Sequence, residues 1–293
     1  MFRETLKLAL QAIRINPLRS FLTVLGIVIG VGAVIAMVTI GSGTTAQVTA
    51  DIAKLGTNLL VLRPGQARRG PGGVREAAPA FDLKDVTAIE QQIDGVRMVA
   101  PTAQHNVKAI YGNSNWSTTV IGTDTRYLGT RDWSLASGRA FYEGELRAGQ
   151  MVCLIGETVR NTLFGRSAPV GEVMRLDKLS CRIIGLLRAK GVSSFGMDQD
   201  DLVLIPLRAL QRRIAGNQDT TAIYIAVQDG VGTEKVQRDI ELLMRERRRI
   251  GANEDDDFNV RDMKEIAEAL TGTTRVLTTL LGAVAAVSLL VGG

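Results

Sequence analysis

The sequence contains little of the side-chain chemistry on which most enzymes depend. It has one histidine, His105, and two cysteines among 293 residues. A zinc site draws three or four ligands from histidine, cysteine and carboxylate side chains, and no such histidine and cysteine spacing is present. His105 falls in a predicted loop before a strand, where a surface or hydrogen-bonded residue is favoured over a metal ligand or a general base. We therefore expect no catalytic residue, no metal ligand and no cofactor site in this chain.

Motifs for binding phosphates and nucleic acids are also missing. The pattern G-x-x-x-x-G-K-[ST], whose backbone amides cradle phosphate groups, does not occur. Aromatic residues make up 4% of the chain and are not interleaved with basic ones, so the sequence gives no support to a nucleic-acid-binding surface. Any ATP hydrolysis that serves this protein must come from another polypeptide, or from a part of the protein outside this sequence.

A long uncharged segment lies near the N-terminus. Residues 20–50 include no Asp, Glu, Lys or Arg, and residues 21–40 are almost wholly apolar. About 20 helical residues match the ~30 Å hydrocarbon core of a bilayer, so the sequence predicts a transmembrane helix over residues 18–40. A cleaved signal peptide has a shorter apolar core and a small-residue cleavage site, which favours a retained span. A signal anchor that only tethers the protein is the alternative.

The flanking segments give this span an orientation and a continuation. Residues 1–16 alternate apolar and basic positions at helical spacing, which predicts a cytoplasmic amphipathic helix. Four basic residues and one acidic residue precede the uncharged segment that begins at Ser20, and this excess favours a cytoplasmic N-terminus. The helical composition continues over residues 41–56, which we interpret as a stalk helix that ends at a glycine. Residues from about 41 to 275 are then expected outside the cytoplasm.

Small residues recur along the predicted span. Gly26 and Gly30 are four residues apart, and Ala33 continues near the same face. This spacing lets a second helix approach closely, although glycine is frequent in membrane helices in any case. We take these three residues as candidate helix-packing positions, with background composition as the alternative.

The region after the stalk alternates between short strands and short helices. Residues 107–111 and 116–121 flank a Gly-Asn-Ser-Asn segment, which predicts a hairpin. Between residues 125 and 215 the alternation resumes with its own turns, and we interpret this block as an inserted α/β subdomain. Residues 57–124 and 216–261 then form the two parts of the surrounding subdomain.

Two helices of this region have recognisable N-terminal signals. Asp82, with Asp85 three residues later, predicts a helix N-terminus. Thr233 is predicted to cap a second helix, which has Val236 and Ile240 on its apolar face.

Charged runs follow the second of these helices. Residues 245–249 are mostly arginine, and residues 254–257 are all acidic. A basic helix end followed by a solvated acidic loop is favoured over an anion site and a cation site. The acidic residues lack the spaced ligands and the glycine of a calcium-binding loop, and the same reservation applies to residues 198–201.

Cys153 and Cys181 fall in two predicted strands of the inserted block. A disulfide between them is possible outside the cytoplasm, but cysteines in buried strands also serve as small apolar residues. The sequence leaves both alternatives open, and either role is structural.

The C-terminal residues return to helical and apolar patterns. Residues 262–275 predict a second stalk helix, and residues 276–293 carry no charge. We interpret the latter as the start of a second transmembrane helix that runs back to the cytoplasm. Because the sequence ends inside this helix, we expect it to be a fragment.

Together these motifs resemble MacB-type ABC transporter permeases, of the MacB/FtsX-like family, over essentially the whole chain. The opening residues 16–27 and residues 55–61 resemble the start of such permeases. The other matching motifs are Ser137-Gly138-Arg139, Ile155-Gly156-Glu157-Thr158-Val159, Leu163-Phe164-Gly165, Pro169-Val170-Gly171, Ile183-Ile184-Gly185, Ile205-Pro206 and residues 280–293.

The resemblance implies an α+β membrane protein of the bacterial inner membrane. Transmembrane helices would flank a large periplasmic domain, made of a porter-like α/β fold with a smaller inserted α/β subdomain. The chain lacks a fused ATPase domain and two further membrane helices. The resemblance therefore implies a separate ABC ATPase subunit, a second permease copy in a homodimer, contact with membrane lipid, and a periplasmic adaptor with an outer-membrane channel.

The function implied by the resemblance is mechanotransmission. Motion driven by the cytoplasmic ATPase would pass through the stalk to the periplasmic domain and drive efflux of a substrate. Two alternatives remain open: a non-transporting permease that regulates a periplasmic partner such as a cell-wall hydrolase, and a membrane-tethered binding domain that needs no ATPase.

Overall fold

A computed structural model describes residues 17–55, 58–68, 75–193 and 198–265, with a few isolated residues between 272 and 283. The chain divides into two compact units, one of residues 51–266 and one of residues 1–50 with 267–293, and each is described by itself. The predicted amphipathic helix at residues 1–16 lies outside the described residues. So do most of the predicted second stalk helix and most of the second span.

The first described element is one continuous helix, α1 (Pro17–Leu55). Proline is favoured at the first helical position, where its missing N–H has no intrahelical partner in any case. In the described part of the chain, Ser20–Gly41 is the one helical segment long and apolar enough to cross a membrane. Its large side chains, such as Phe21 and Ile29, are exposed rather than covered by protein. At 39 residues α1 is about 58 Å long, so the predicted span and stalk form a single helix.

The unit of residues 51–266 is a mixed α/β domain. Its strands are β1 (Leu59–Pro64), β2 (Gln66–Arg68), β3 (Arg75–Ala77), β4 (Val96–Tyr111), β5 (Ser114–Thr123), β6 (Leu135–Gly138), β7 (Val152–Ile155), β8 (Val173–Leu176), β9 (Leu179–Leu187), β10 (Leu202–Pro206), β11 (Ala222–Val227) and β12 (Phe258–Asp262). Its helices are α2 (Leu83–Gln92), α3 (Arg126–Thr130), α4 (Glu143–Ala148), α5 (Glu157–Phe164), α6 (Leu207–Leu210), which continues into a π-helical turn (Gln211–Ala215), and α7 (Thr233–Arg248).

Among the described residues, ten strands form one sheet, and β2 and β3 form a separate hairpin. The order across the sheet is β12-β1-β11-β4-β5-β10-β7-β9-β6, and β8 pairs with both β4 and β9. Most neighbours are antiparallel, but β10 runs parallel to β5 and β9 runs parallel to β7. The edge strands of this path are β12 and β6.

The long strand β4 joins the two sides of the sheet. Its first part pairs with β11, as far as Thr102, and its second part pairs with β5 from Ala103 onward. The predicted hairpin after β4 is confirmed, with Tyr111 opposite Ser114. Gly112 has a φ of +55°, a backbone conformation that a tight turn requires and that glycine adopts without strain.

His105 lies within β4, opposite Val120 of β5, with its side chain exposed. The prediction that it lies in a loop was wrong. The strand continues through the polar residues 104–106, because their backbone groups still pair with β5 while their side chains face solvent.

Helices α2, α5, α6 and α7 cover one face of the sheet, and the other face carries its own core, which includes Tyr127 of α3. Ile89 of α2 and Ile240 of α7 pack over the β1 and β11 side of the sheet. Helices α5 and α6 pack over the β5, β7 and β10 side, around Leu210. A third cluster lies on the opposite face and draws on both sides, including Leu154 and Tyr224. Since successive side chains of a strand point to opposite faces of the sheet, the same strands supply core residues to both faces.

Two of the short motifs meet where β6 pairs with β9. Gly138 lies opposite Gly185, and a Cβ on Gly138 would overlap the carbonyl oxygen of Ile184. The next residue, Arg139, donates two hydrogen bonds to the Glu145 carboxylate, at 2.7 and 2.9 Å. The backbones of β6 and β9 therefore approach closely at the two glycines. The hydrogen bonds from Arg139 to Glu145 connect α4 to the end of β6.

The two predicted helix caps have different outcomes. Asp82 is confirmed as the N-cap of α2, since its carboxylate accepts the backbone N–H of Asp85 and the Asp85 carboxylate accepts the N–H of Asp82. Thr233 is not a cap. It is the first residue of α7, because the preceding Gly232 already has the extended conformation of an N-cap. Val236 and Ile240 are buried, as predicted.

The boundaries of the proposed insertion stay a prediction. One sheet takes strands from all three predicted segments, 57–124, 125–215 and 216–261. Strand β5, assigned to the first of these segments, pairs over residues 119–123 with β10 from the second.

Candidate functional site

The candidate helix-packing positions lie on α1. Among the described residues, a Cβ added to Gly26 would have no heavy atom within 4 Å, and Gly30 is partly buried. The described residues therefore leave the surface beside Gly26 open to a second helix. Ala33 belongs to α1, but its side chain is not among those that the structure describes. Helix packing through these positions stays a prediction.

Cys153 and Cys181 meet in the core between β7 and β9. Their Cα atoms are 6.1 Å apart, within the range that a disulfide spans, and their sulfur atoms are in contact. Both side chains are fully buried in the cluster under α5 and α6. This separation and burial favour a disulfide bridge over two free thiols.

The arginines at the end of α7 form ion pairs with the acidic residues that follow the helix. Arg245 pairs with Asp256, and Arg248 pairs with Asp257 at 2.8 Å. Arg247 reaches across to Asp85 at 2.8 Å, at the start of α2. The favoured interpretation of a solvated helix end and a separate acidic loop was therefore incomplete. These charges fasten α7 to its neighbours.

The acidic residues 198–201 also have structural partners. The buried Asp200 carboxylate accepts the backbone N–H groups of Lys190 and Gly191, at 2.8 and 2.9 Å. Asp198 accepts the hydroxyl of Thr158 at 2.6 Å. Across the part of the chain that the structure describes, no three histidine, cysteine or acidic residues form a group that could hold a metal ion.

Lys190 lies half buried beside Trp133, with its Nζ 5.1 Å from the centre of the indole ring. The Nζ donates a hydrogen bond of 2.6 Å to the carbonyl oxygen of Arg131. Burial, and then the positive charge of Arg131, lower the pKa of Lys190 to about 8. Sequence reasoning missed this residue, because the groups that surround it come from segments about 60 residues away in the chain.

A cleft of about 300 Å³ lies where α2, α4 and α6 come together at the end of β5. Leu83, Leu146 and Leu207 give it apolar walls, and charged side chains of both signs line it, among them Arg147, Arg208 and Glu143. Arg208 donates to the carbonyl oxygen of Arg147 at 2.9 Å, which ties α6 to α4. This arrangement can contact a small amphipathic group. The described residues around it include no histidine or cysteine that could act as a base or a nucleophile.

Residues 20–243 match the family model of the MacB-like periplasmic core domain. A protein of Bdellovibrio bacteriovorus, called macrolide export ATP-binding/permease protein MacB, is 37% identical over 293 residues, which is 99% of this chain and 45% of the relative. A protein of Chlorobium luteolum with the same name is 38% identical over 278 residues, which is 94% of this chain and 42% of the relative. The chain thus spans less than half the length of these relatives.

Two solved structures share the fold. The periplasmic region of MacB from Actinobacillus actinomycetemcomitans has a TM-score of 0.60 at 18% identity, covering 75% of this chain and 95% of that one. The extracellular domain of the noncanonic ABC-type transporter YknZ from Gram-positive bacteria has a TM-score of 0.55 at 16% identity, covering 70% of this chain and 100% of that one.

Proposed function

Because the chain belongs to the family of the MacB-like periplasmic core domain, we propose that it serves as the permease part of an ABC-type exporter. In this proposal it lies in the bacterial inner membrane, with its N-terminus in the cytoplasm and residues 41–275 in the periplasm. The relatives are named for macrolide export, so a macrolide is the first substrate to test.

One observation carries the proposal. The family match begins at residue 20, at the start of the apolar segment Ser20–Gly41, and continues through the sheet to residue 243. Helix α1 runs on from this segment without a break to Leu55, and β1 begins at Leu59. A continuous helix is held by backbone hydrogen bonds along its whole length and can pass on a displacement of one end. A stalk that transmits motion to the domain is therefore supported.

The proposal assigns the remaining roles to partners. ATP is hydrolysed on a separate ABC ATPase subunit, and a second copy of the permease completes a homodimer. A periplasmic adaptor and an outer-membrane channel carry the substrate onward. Membrane lipid surrounds α1. The chain itself needs no cofactor and binds no nucleic acid.

The experiment compares two insertions of equal length in α1, of which one disrupts the helix and the other preserves it. Four residues, Gly-Pro-Gly-Pro, are inserted after Thr45 in the complete transporter; proline and glycine disrupt helices. The matched control inserts four alanines, which add about one helical turn and keep the helix intact. ATP hydrolysis and macrolide transport are measured in membrane vesicles.

We expect the Gly-Pro insertion to lower transport at least about tenfold while ATP hydrolysis and ATPase docking continue, and the alanine insertion to keep most of the transport. Unchanged transport in the Gly-Pro variant would contradict transmission through α1. If the unaltered transporter moves no substrate but activates a cell-wall hydrolase, the regulatory alternative replaces the exporter.

A further inference from the structure

The edge of the sheet at β12 and β1 carries two arginines on one face. Arg261 lies opposite Val61, and Arg63 lies opposite Asn259. Directly opposed residues of antiparallel strands point to the same face, so Arg63, Asn259 and Arg261 share a face. It is the face that carries Val61 in its core, away from α2 and α7.

A hydrogen bond fixes the direction of one of these arginines. Arg261 Nε donates to Asn259 Oδ1 at 2.9 Å. Because Asn259 is directly opposite Arg63, this bond holds the Arg261 guanidinium toward Arg63. Its two terminal amino groups stay available as donors, and so does the amide nitrogen of Asn259.

The two guanidinium groups have no carboxylate partner in the described parts of the chain, where every ion pair joins other residues. Both side chains are exposed, and both line a cavity of about 570 Å³. Gln66 adds an amide to this cavity. Like charges on adjacent strands repel each other, so this edge has an electrostatic cost that a bound anion would remove.

Two acidic residues lie on the wall of the same cavity. Asp256 is paired with Arg245, which neutralises its charge. Asp255 forms no ion pair among the described residues and leaves one negative charge against the two arginines. The cavity therefore keeps a net positive charge of one, and Asp255 should weaken the binding of anions.

A third arginine adds to the positive field of this face. Arg131 has its Cζ 5.5 Å from the ring centre of Tyr224, which lies opposite Val61 on the other side of β1. Burial raises the pKa of Tyr127 to about 12, while the charges of Arg131 and Arg63 both act to lower it. The two arginines thus act on the same buried phenol, from the same face of the sheet.

We propose that Arg63 and Arg261 form an oxyanion site that binds a phosphate group, with Asn259 as a positioning residue. A guanidinium presents several N–H donors in a plane, which suits the oxygens of a phosphate. The two guanidinium groups bring two positive charges to the phosphate, one of which Asp255 opposes, and the amides of Asn259 and Gln66 provide further donors. The site is independent of the exporter function.

The test is equilibrium dialysis of the full chain, solubilised in a non-ionic sugar detergent, against radiolabelled inorganic phosphate at near-physiological ionic strength. We expect saturable binding at one site per chain. The double variant Arg63→Gln and Arg261→Gln should bind at least about tenfold more weakly, because charge-assisted hydrogen bonds are lost. The matched control, Arg212→Gln with Arg213→Gln, removes two exposed arginines outside the cavity and should stay within about twofold of the unaltered chain.

Two single variants test the geometry. Asn259→Ala removes the acceptor that orients Arg261 and should weaken binding severalfold, while Asp255→Asn removes the opposing charge and should tighten it.

Glycerol 3-phosphate, measured in parallel, distinguishes a phosphomonoester headgroup from free phosphate as the better ligand. Absence of saturable binding, or equal loss in the control pair, would overturn the site. Thermal unfolding of the double variant is measured as a control: an unchanged midpoint means that a loss of phosphate binding is not caused by misfolding.

Discussion

Lys190 shows how tertiary structure changes the chemistry of a single residue. A lysine at an exposed position is protonated at all physiological pH values, with a pKa near 10.4. In the fold, its Nζ is close to the Trp133 ring and to the backbone of Arg131. Burial and the neighbouring guanidinium lower the pKa to about 8, so that the folded chain releases this proton well before the unfolded chain does.

The deprotonation of Lys190 should therefore make the fold more stable as the pH rises. Between about pH 8 and pH 10 the unfolded chain keeps the Lys190 proton while the folded chain loses it, so the free energy of unfolding increases with pH. Because the side chain is partly exposed, we expect a gain only on the order of 1 kcal/mol. Urea unfolding of the full chain in detergent, followed by tryptophan fluorescence, measures it.

The control for this pH dependence is Lys190→Met. This variant should lose the rise, while the rest of the profile stays unchanged. The comparison stops near pH 9.5, because the raised pKa of Tyr127 acts in the opposite direction above pH 10. An equal rise in the methionine variant would contradict the assignment to Lys190.

The two cysteines provide a second prediction at the scale of residues. We expect Cys153 and Cys181, which are 28 positions apart in the sequence, to be bridged, because their Cα atoms are 6.1 Å apart. Closing a loop of this length should stabilise the fold by roughly 3 to 4 kcal/mol in the chain-entropy description. The intact mass of the unreduced protein should be two hydrogens lighter than that of the reduced protein, and reduction should lower the stability by that amount.

The control is the double variant Cys153→Ala and Cys181→Ala, whose stability should not respond to a reducing agent. If a thiol reagent labels both cysteines in the denatured but unreduced protein, there is no bridge. The cysteines would then be the small apolar residues of the alternative interpretation.

At the scale of elements, α1 is the helix with the most specific expectation. Gly26 and Gly30 lie one turn apart on one side, and Gly32 lies on another side of the same helix. If a second copy packs against the first side, Gly26→Leu and Gly30→Leu should weaken self-association in lipid vesicles about tenfold, because the larger side chains keep the backbones apart. Energy transfer between labelled copies measures the association.

Gly32→Leu is the matched control for this experiment, since a Cβ at Gly32, like one at Gly26, has open space around it among the described residues. It should leave the association nearly unchanged. Equal weakening by Gly32→Leu would indicate a general effect of bulk in the helix rather than a defined packing face.

Elements formed by residues close in sequence could be predicted, and contacts between distant segments could not. The cap at Asp82 and the hairpin at Gly112 depend on local geometry, and the sequence alone was sufficient for both. The ion pair between Arg247 and Asp85 joins residues 162 positions apart. No periodicity or spacing contains that information. The same limit applies to the cavity of Arg63 and Arg261, which exists only because β12 pairs with β1.

At the scale of the whole molecule, the sheet connects segments that the sequence suggests are separate. The sequence indicates an inserted block because strands and helices restart after residue 124, and each restart has its own turns. In the structure β4 belongs to both sides of the sheet, pairing with β11 and then with β5. A strand of 16 residues that serves two groups of neighbours cannot be recognised from alternation alone, because its polar middle resembles a loop.

The orientation of the chain in the membrane gives the last prediction. Basic residues before the apolar segment favour a cytoplasmic N-terminus, so β1 and the residues after it, as far as about residue 275, should lie in the periplasm. Alkaline phosphatase folds only where its disulfides form, outside the cytoplasm. Fused after Val61 it should be active, and fused after Leu18, before the span, it should be inactive. A fusion with a cytoplasmic reporter should give the reverse activities. Activity of the phosphatase at Leu18 but not at Val61 would show the opposite orientation. The domain with its sheet would then lie in the cytoplasm, where a periplasmic adaptor could not reach it, and the proposed role would be wrong.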